Sequence, residues 1–263
     1  MKRNFTHVLI ILVSLIGLIS CKENEEKQDH PTKKKRIEFS KEHKELEVFE
    51  NYVQKVEDNK SLDRVESLFF TDATGNTTEA FAWVNEQMEI VKLQETFTLV
   101  NGQKTERTFY FLNGLKSVSK TFVSHYELDK PYFTEERSYY SLTGSVIATF
   151  GRSANTEDLS NATFNVKPKN SHAHQNALAV IQRTGDFETR FRGFDEAFER
   201  KYIVFGTEKQ TTTVAFNVET PILKQLMREE KKQLNKPLEV QFSPITEADG
   251  FMFQALIDLK FPS

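Results

Sequence analysis

The pattern of apolar and polar residues changes its period along the chain. Between residues 40 and 59, four apolar residues recur at helical spacing among Glu and Lys: Leu46, Phe49, Val53 and Val56. This spacing predicts an amphipathic helix with Ser40 as its N-cap. From about residue 66 to residue 151 the period becomes two, which is typical of half-buried strands.

Turn signals separate the alternating segments of this second region. Asn-Gly stands at 101–102 and 113–114, and Thr-Gly stands at 143–144. Asn-Gly between alternating segments is a strong hairpin signal, because both central residues of the turn need positive φ. The sequence therefore predicts a helix followed by an antiparallel meander of about five to seven strands over residues 40–151.

The second half of the chain has a different order of elements. Ser, Asn, Thr and Lys dominate residues 152–177, which predicts a linker. Residues 178–263 then show three short β-rich segments, the first from Phe187, a helix of about 14 residues that begins at Pro221 behind the N-cap Thr220, and two more alternating segments. This order resembles the OB fold, a small five-stranded barrel with one helix. An unrelated α+β roll is the alternative. We expect a mainly β, α+β protein with a helix-plus-meander domain at 40–151 and an OB-like barrel domain at 178–263.

The amino terminus has the composition of a lipoprotein signal peptide. Two basic residues precede an uncharged apolar run from Val8 to Ile19, which is shorter than the roughly 20 residues that span a bilayer. The run ends in the sequence Leu18-Ile19-Ser20-Cys21. These four residues resemble the lipobox of bacterial lipoproteins, which implies a signal peptide at 1–20, cleavage between Ser20 and Cys21, and acylation of Cys21. An ordinary cysteine and an uncleaved membrane anchor are the alternatives.

The residues after Cys21 bear on the location of the protein. Position 22 is Lys rather than Asp, so the inner-membrane retention signal of some Gram-negative lipoproteins is missing. Lys22 followed by an acidic stretch resembles the surface-export signal of Bacteroidetes lipoproteins, although Asn24 interrupts that stretch. These resemblances imply a lipid anchor in the outer membrane, facing the periplasm or the outside. The polar residues 21–39 are then a disordered tether.

Two segments of the meander share one pattern, an aromatic strand followed by a turn. They are residues 108–115 (TFYFLNGL) and 137–144 (RSYYSLTG). Both resemble the tyrosine-rich strand and Asn-Gly turn of small meander-type secreted proteins from the same bacteria. The resemblance covers less than a third of the chain and implies no activity.

Composition narrows the classes of partner. The formal net charge of −3 gives no electrostatic reason to expect nucleic acid. Cys21 is the only cysteine, so its acylation leaves no thiol for a disulfide. The 23 Phe and 7 Tyr residues indicate an aromatic-rich core, as half-buried sheets often have.

Few residues are candidates for chemistry. His172 and His174 are a metal pair only if a third ligand joins them, and we interpret them as solvated loop histidines. Glu135 and Glu136 are neighbours on a predicted strand, so they point to opposite faces and do not form the paired carboxylates of a glycosidase. Solvation in a turn explains a second group of acids: Asp195, Glu196 and Glu199.

Arg190, Arg192 and Phe194 are predicted to share one strand face, which is a candidate ligand groove of the OB-like domain. A solvated strand face is the alternative. We assign no catalytic residue, no metal site and no cofactor, because the sequence contains no nucleophile elbow, P-loop or dinucleotide fingerprint.

The expected function is therefore that of a membrane-anchored envelope lipoprotein that acts as a non-catalytic binding or scaffolding module. Its partners are the lipid bilayer, through acylated Cys21, and either another envelope protein or a glycan, with no nucleic acid. Two alternatives stay open: an envelope hydrolase that acts on glycans or peptides, and a periplasmic lipid- or lipoprotein-binding protein. The sequence does not determine the oligomeric state.

Overall fold

The computed structural model describes residues 37, 39, 41–126 and 130–262. The signal peptide, Cys21, Ser40 and most of the predicted tether lie outside these residues. Ile37 and Phe39, at the end of the predicted tether, are described: Ile37 is buried, and Phe39 lies edge-on to the rings of Tyr139 and Phe150. The packed part of the chain therefore includes residues that the sequence analysis assigned to the tether.

The helix predicted over residues 40–59 is present. A short 3-10 helix, Lys41–Leu46, leads into α1, Glu47–Asp58. The other helices are α2 (Gln175–Gln182), α3 (Pro221–Arg228) and α4 (Glu230–Gln233), and a second 3-10 helix spans Gly185–Phe187. None of the helices in the described ranges is long and apolar enough to cross a membrane.

The strands of the described ranges all belong to one 14-stranded sheet. In chain order they are β1 (Asp63–Glu66), β2 (Phe70–Asp72), β3 (Thr77–Val84), β4 (Ile90–Thr98), β5 (Lys104–Leu112), β6 (Leu115–His125), β7 (Tyr132–Tyr140), β8 (Val146–Ala154), β9 (Asn165–Lys167), β10 (Phe191–Ala197), β11 (Arg200–Gly206), β12 (Gln210–Phe216), β13 (Glu239–Thr246) and β14 (Met252–Lys260).

The predicted meander is confirmed. Each strand from β2 to β9 pairs antiparallel with the next strand along the chain. The register aligns Tyr110, Val118, Tyr139 and Ala148 in one row across β5 to β8. Residues in such a row point to the same face, so the row presents two tyrosines to whatever covers the sheet there.

The predicted five-stranded barrel is wrong. Strands β10, β11 and β12 form an antiparallel set, and β13 pairs with β14, in the expected order. However, the free edge of β12 is occupied by two other strands: Thr211 pairs with Thr71 of β2, and Ala215 pairs in parallel with Ala255 of β14. Because these strands continue the meander sheet, the described residues form an open sheet and no barrel closes.

One compact unit, residues 35–263, contains both of the predicted domains. The sheet passes from one to the other through the pairing of β2 with β12. The predicted linker, residues 152–177, supplies the end of β8, all of β9 and the start of α2. Helix α2 was not predicted, although Ala177 and Val180 stand at helical spacing and are both buried.

The helices cover the two faces of the sheet. Tyr110 packs with the helix α1, whereas its neighbour Phe109 packs with Ala177 of α2, because adjacent residues of a strand point to opposite faces. In the second half of the chain, α3 lies over an apolar cluster of strand residues. The buried members of that cluster on β10, β11 and β12 are Phe191, Ile203, Phe205, Val214 and Phe216.

The start of α3 follows the prediction. The Thr220 side chain accepts a hydrogen bond from the Leu223 N–H at 3.4 Å, and Pro221 is the first helical residue. The helix ends at Arg228, earlier than expected, and α4 follows it. Phe187 lies in a 3-10 helix rather than a strand, and β10 begins only at Phe191.

Candidate functional site

The two aromatic strand-and-turn repeats lie side by side in the sheet. The turn between β5 and β6 contains Asn113 and Gly114, with φ of 52° and 73°, as the Asn-Gly signal predicts. The turn between β7 and β8 contains Gly144, with φ of 81°. Since consecutive antiparallel strands reverse direction, both turns emerge at the same end of the sheet.

These two turns and the segment that leads into α2 line a half-open cavity of about 420 Å³. We call it the turn cavity. The lining residues that matter for its chemistry are Phe111, Leu115, Lys116, Ser141, Ser171 and His174. A cavity of this size is within the usual range for small-molecule sites.

Lys116 places a positive charge at the wall of the turn cavity. Its Nζ donates a hydrogen bond to the carbonyl oxygen of His172 and lies 4.0 Å from the centroid of the Tyr140 ring. An ammonium group has three N–H donors. Only the bond to His172 uses one of them within the described part of the chain, so Lys116 retains donors for a ligand.

His174 contributes a neutral imidazole to the same wall. Its ring lies edge-on to Phe111, with the ring centroids 5.2 Å apart. Burial lowers the pKa of His174, and the nearby Lys116 charge lowers the pKa further. Its Nδ1 is buried and has no hydrogen-bond partner among the described residues. The imidazole is therefore neutral at pH 7 and has unused hydrogen-bonding capacity.

His172 faces a different partner. Its Nε2 lies 2.8 Å from Oε1 of Glu136, which also accepts a hydrogen bond from Asn170 at 2.8 Å. The backbone N–H of His172 donates to the Tyr140 hydroxyl at 3.1 Å. The two histidines therefore do not converge on one point. Within the described ranges, no group of three or more His, Cys, Asp or Glu residues could hold a metal ion.

Glu135 and Glu136 point to opposite faces, as the strand period predicts. Glu135 accepts hydrogen bonds from Arg137 at 2.6 Å and from Arg152 at 2.8 Å. Burial raises the pKa of Glu135, but the charges and hydrogen bonds of these two arginines outweigh it and leave the pKa below its usual value. Glu135 therefore stays ionised at neutral pH.

Glu135 belongs to a larger set of buried polar groups under α1, which we call the charge network. Arg137 also donates to Glu50 of α1 at 2.7 Å, and Tyr139 donates to Glu50 at 2.8 Å. Tyr110 donates to Glu57, which lies two helical turns after Glu50 on α1. The charge network thus ties the helix to the middle of the sheet.

Lys120 lies within the charge network. Its Nζ is 4.9 Å from the centroid of the Tyr110 ring. Burial, and then the positive charge of Arg137, lower the pKa of Lys120 to about 8, although Glu50 and Glu57 partly oppose this. A substantial fraction of Lys120 is therefore neutral in mildly alkaline solution.

Of the predicted groove residues, the two arginines both contact Asn235, and only Phe194 departs from them. Arg190 donates to Glu188 at 2.6 Å and to the Asn235 carbonyl oxygen at 3.1 Å, and Arg192 donates to the Asn235 side chain at 2.6 Å. A β-bulge between Phe191 and Gly193 changes the alternation. Phe194 therefore packs on the ring of Phe191, 5.3 Å away, and joins the core instead of following the arginines.

The predicted acidic group lies on the hairpin of β10 and β11. Asp195 and Glu196 are exposed on β10, and Glu199 is in the turn. The turn also exposes Phe198, whose ring lies 5.8 Å from that of Phe251 on the β13–β14 hairpin.

The turn cavity was not predicted from the sequence. The two repeats and the two histidines stand out separately there, but no local signal joins Lys116 to His174. The repeat turns come together only because β6 pairs with β7, and α2 was not predicted. No protein-family model matches this chain, and no curated protein or solved structure matches it significantly.

Proposed function

We propose that this chain is a lipid-anchored protein of the bacterial cell envelope that acts, without catalysis, as a binding module, with the turn cavity as its ligand site. The anchor depends on the lipobox residue Cys21, which the structure does not describe. The binding role depends on one observation: the turn cavity combines the ammonium of Lys116 and the neutral imidazole of His174 with the apolar wall of Phe111.

This combination suits an acidic sugar. The carboxylate would accept hydrogen bonds from Lys116, and charge-assisted hydrogen bonds of this kind are the stronger ones. The hydroxyl groups of Ser141 and Ser171 suit sugar hydroxyls, and the apolar wall of Phe111 and Leu115 suits the apolar C–H groups of the ring. A glycan that contains uronic acid units is therefore the ligand class that we propose.

The neighbouring carboxylates favour binding over hydrolysis. Glu135 is held ionised between two guanidinium groups, so it is a poor proton donor at neutral pH. Both contacts of Glu136 go to the same oxygen, from His172 and Asn170. These acids hold parts of the structure together, which supports the non-catalytic proposal.

The chemistry of the sheet also favours a sugar over an acyl chain. Next to the turn cavity, the sheet face that adjoins the segment before α2 carries the buried hydroxyls of Ser119, Ser138 and Thr149. Ser138 and Thr149 are hydrogen-bonded to each other, and Ser119 is hydrogen-bonded to the Tyr140 hydroxyl. Thr149 also accepts a hydrogen bond from the backbone N–H of Asn170. Because these hydroxyls are buried and already hydrogen-bonded, this part of the face leaves no open apolar surface for an acyl chain.

Calorimetric titration with glucuronate, and with glucose as the uncharged analogue, tests the ligand proposal. We expect glucuronate to bind and glucose to bind at least about tenfold more weakly, since a charge-assisted hydrogen bond contributes roughly 1.5–3 kcal/mol. Lys116→Gln should remove this preference. The matched control Lys209→Gln changes the same charge at an exposed lysine that pairs with Asp186, and should leave binding unchanged. Equal binding of both sugars, or of neither, would contradict the proposal.

The anchor has a separate test. Cells grown with labelled palmitate should incorporate label into the wild-type protein and none into Cys21→Ser, and the variant should move from the membrane fraction to the soluble fraction. An unlabelled wild-type protein would refute the anchor without bearing on the turn cavity. Digestion of intact cells with a protease then distinguishes an outward-facing protein from a periplasmic one.

A further inference from the structure

Two hairpin ends bring exposed aromatic rings together. Phe198 stands in the turn between β10 and β11, and Phe251 directly precedes β14 in the connection between β13 and β14. The ring of Phe198 lies 5.8 Å from that of Phe251, which stacks on Phe253 at 6.1 Å. We call these three residues the aromatic tip. Phe198 is 77% exposed, so its burial does not explain its presence.

The turn that carries Phe198 is strained. Phe198 and Glu199 are its two central residues, because Ala197 pairs with Arg200, and their φ values are 51° and 61°. Such turns favour Asn-Gly, and a bulky side chain at positive φ is disfavoured. The same chain uses Asn113 and Gly114 in the turn between β5 and β6. Strain at an exposed position that adds nothing to the core points to a function.

Arg200 holds the aromatic tip in a defined arrangement. Its guanidinium lies 5.5 Å from the centroid of Phe251 and 4.7 Å from that of Phe253. The same guanidinium forms an ion pair with Glu247, which directly follows β13. These contacts orient the rings before any partner arrives, which lowers the entropy cost of binding.

The two hairpins that carry the aromatic tip also carry acidic residues without a basic partner. Asp195, Glu196, Glu199 and Asp249 are exposed and form no ion pair with a basic residue in the described ranges. The nearby Arg200 is neutralised by Glu247, and Lys201 is neutralised by Glu219. The surroundings are therefore acidic, which disfavours anionic lipid headgroups and a second copy of the same tip.

We infer that the aromatic tip is a docking site for a partner protein whose surface has an apolar centre ringed by Lys and Arg residues. The exposed rings supply the apolar contact, and the acidic surroundings supply charge complementarity. The site is distant in the sequence from the turn cavity and does not depend on the ligand proposed there.

Fluorescence anisotropy with a synthetic peptide tests this inference on the full chain. The probe is an amphipathic peptide of leucine and lysine, and its control is the analogue with glutamate in place of lysine. We expect the lysine peptide to bind, the glutamate peptide not to bind, and affinity to fall as salt is raised. Phe198→Asn should weaken binding at least tenfold while the net charge stays the same.

The same variant has an independent readout. Because Asn tolerates positive φ, Phe198→Asn should unfold at a higher temperature than the wild type, so the loss of binding cannot result from misfolding. Glu199→Gly should also raise the unfolding temperature and weaken binding through the lost charge. Leu142→Asn is the matched control, since Leu142 is 80% exposed in another turn, and it should retain full binding.

Three results would overturn the inference. The first is an unchanged peptide affinity of Phe198→Asn. The second is tighter binding to vesicles of phosphatidylglycerol than to the lysine peptide, which would assign the aromatic tip to a membrane. The third is a dimer in sedimentation that Phe198→Asn dissociates, which would assign the aromatic tip to self-association.

Discussion

The sheet is covered by helices in two chemically different ways. Under α1, carboxylates of the helix meet arginine and tyrosine side chains of β5 to β8: Glu50 contacts Arg137 and Tyr139. Under α3, leucines of the helix meet an apolar surface, and both Leu223 and Leu226 are fully buried. Both arrangements attach a helix to the same sheet.

The difference lies in what each arrangement needs in order to be stable. Apolar burial stabilises in proportion to the area removed from water and does not depend on protonation. Buried charges cost desolvation, which a partner of opposite charge offsets only while both groups are present and ionised. The half of the molecule under α1 should therefore respond to pH and to loss of one partner, whereas the half under α3 should respond mainly to lost volume.

The largest expected effect is in the apolar half. Phe205→Ala should lower the free energy of unfolding by about 4 kcal/mol, because Phe205 is fully buried and the variant leaves a cavity. Denaturant unfolding at pH 6 and pH 8 should give the same loss. A loss that differs strongly between the two pH values would contradict the claim that the half under α3 does not depend on protonation.

A slightly smaller loss is expected in the charge network. Arg137→Met should cost about 3 kcal/mol at pH 7, because it leaves Glu50 and Glu135 buried without their shared counter-charge. Arg228→Met is the control, since its ion pair with Glu229 is exposed to solvent and should contribute little to stability.

The cost of Arg137→Met should depend on pH in a definite direction. The pKa of Glu135 lies below its unfolded value of 4.5, so its stabilising contribution is present above that pH and is lost as pH falls through the folded pKa. The difference between wild type and variant should therefore be constant between pH 6 and pH 7, below the titration of Lys120, and shrink below pH 4.5. A difference that grows in acid would contradict this role for Glu135.

Lys120→Met should change the free energy of unfolding in the opposite direction, by raising it. The pKa of Lys120 is about 8 in the folded chain and 10.5 in the unfolded chain, so holding it charged costs stability at neutral pH. We expect the variant to be more stable than wild type by about 2–3 kcal/mol at pH 7. Between pH 8 and 10.5 the unfolded wild type binds more protons than the folded wild type, so the stability of the wild type rises with pH. The stability difference between variant and wild type should therefore disappear. Unfolding measured at pH 7 and pH 10.5 checks this prediction, and the same stability difference at both pH values would contradict it.

The smallest effect concerns how the two helices begin. Thr220→Ala should destabilise the protein by about 1 kcal/mol, because it removes the side-chain cap of α3. The helix α1 begins behind Leu46, for which no side-chain cap is found within the described residues. Leu46→Ala should therefore act only through lost core volume, and hydrogen exchange at the first turn of each helix separates the two causes.

Much of the local architecture could be predicted from the sequence. Asn113 and Gly114 form a turn with positive φ, Thr220 caps a helix, and Glu135 and Glu136 point to opposite faces. Helix α2 was missed because it is short and follows a polar stretch that is typical of a linker. The groove of Arg190, Arg192 and Phe194 was expected from strict alternation, and a bulge at Gly193, with φ of 130°, interrupts that alternation.

The sequence by itself determined the periods, turns and caps, because these depend on backbone preferences and on neighbours a few residues away. The tertiary structure alone decided that β12 pairs with β2 and β14 and not within a closed barrel. It also decided that Lys116 meets His174 beside two turns, and that Phe198 meets Phe251. Every strand edge offers the same unpaired N–H and C=O groups, so local sequence does not specify which edge it joins.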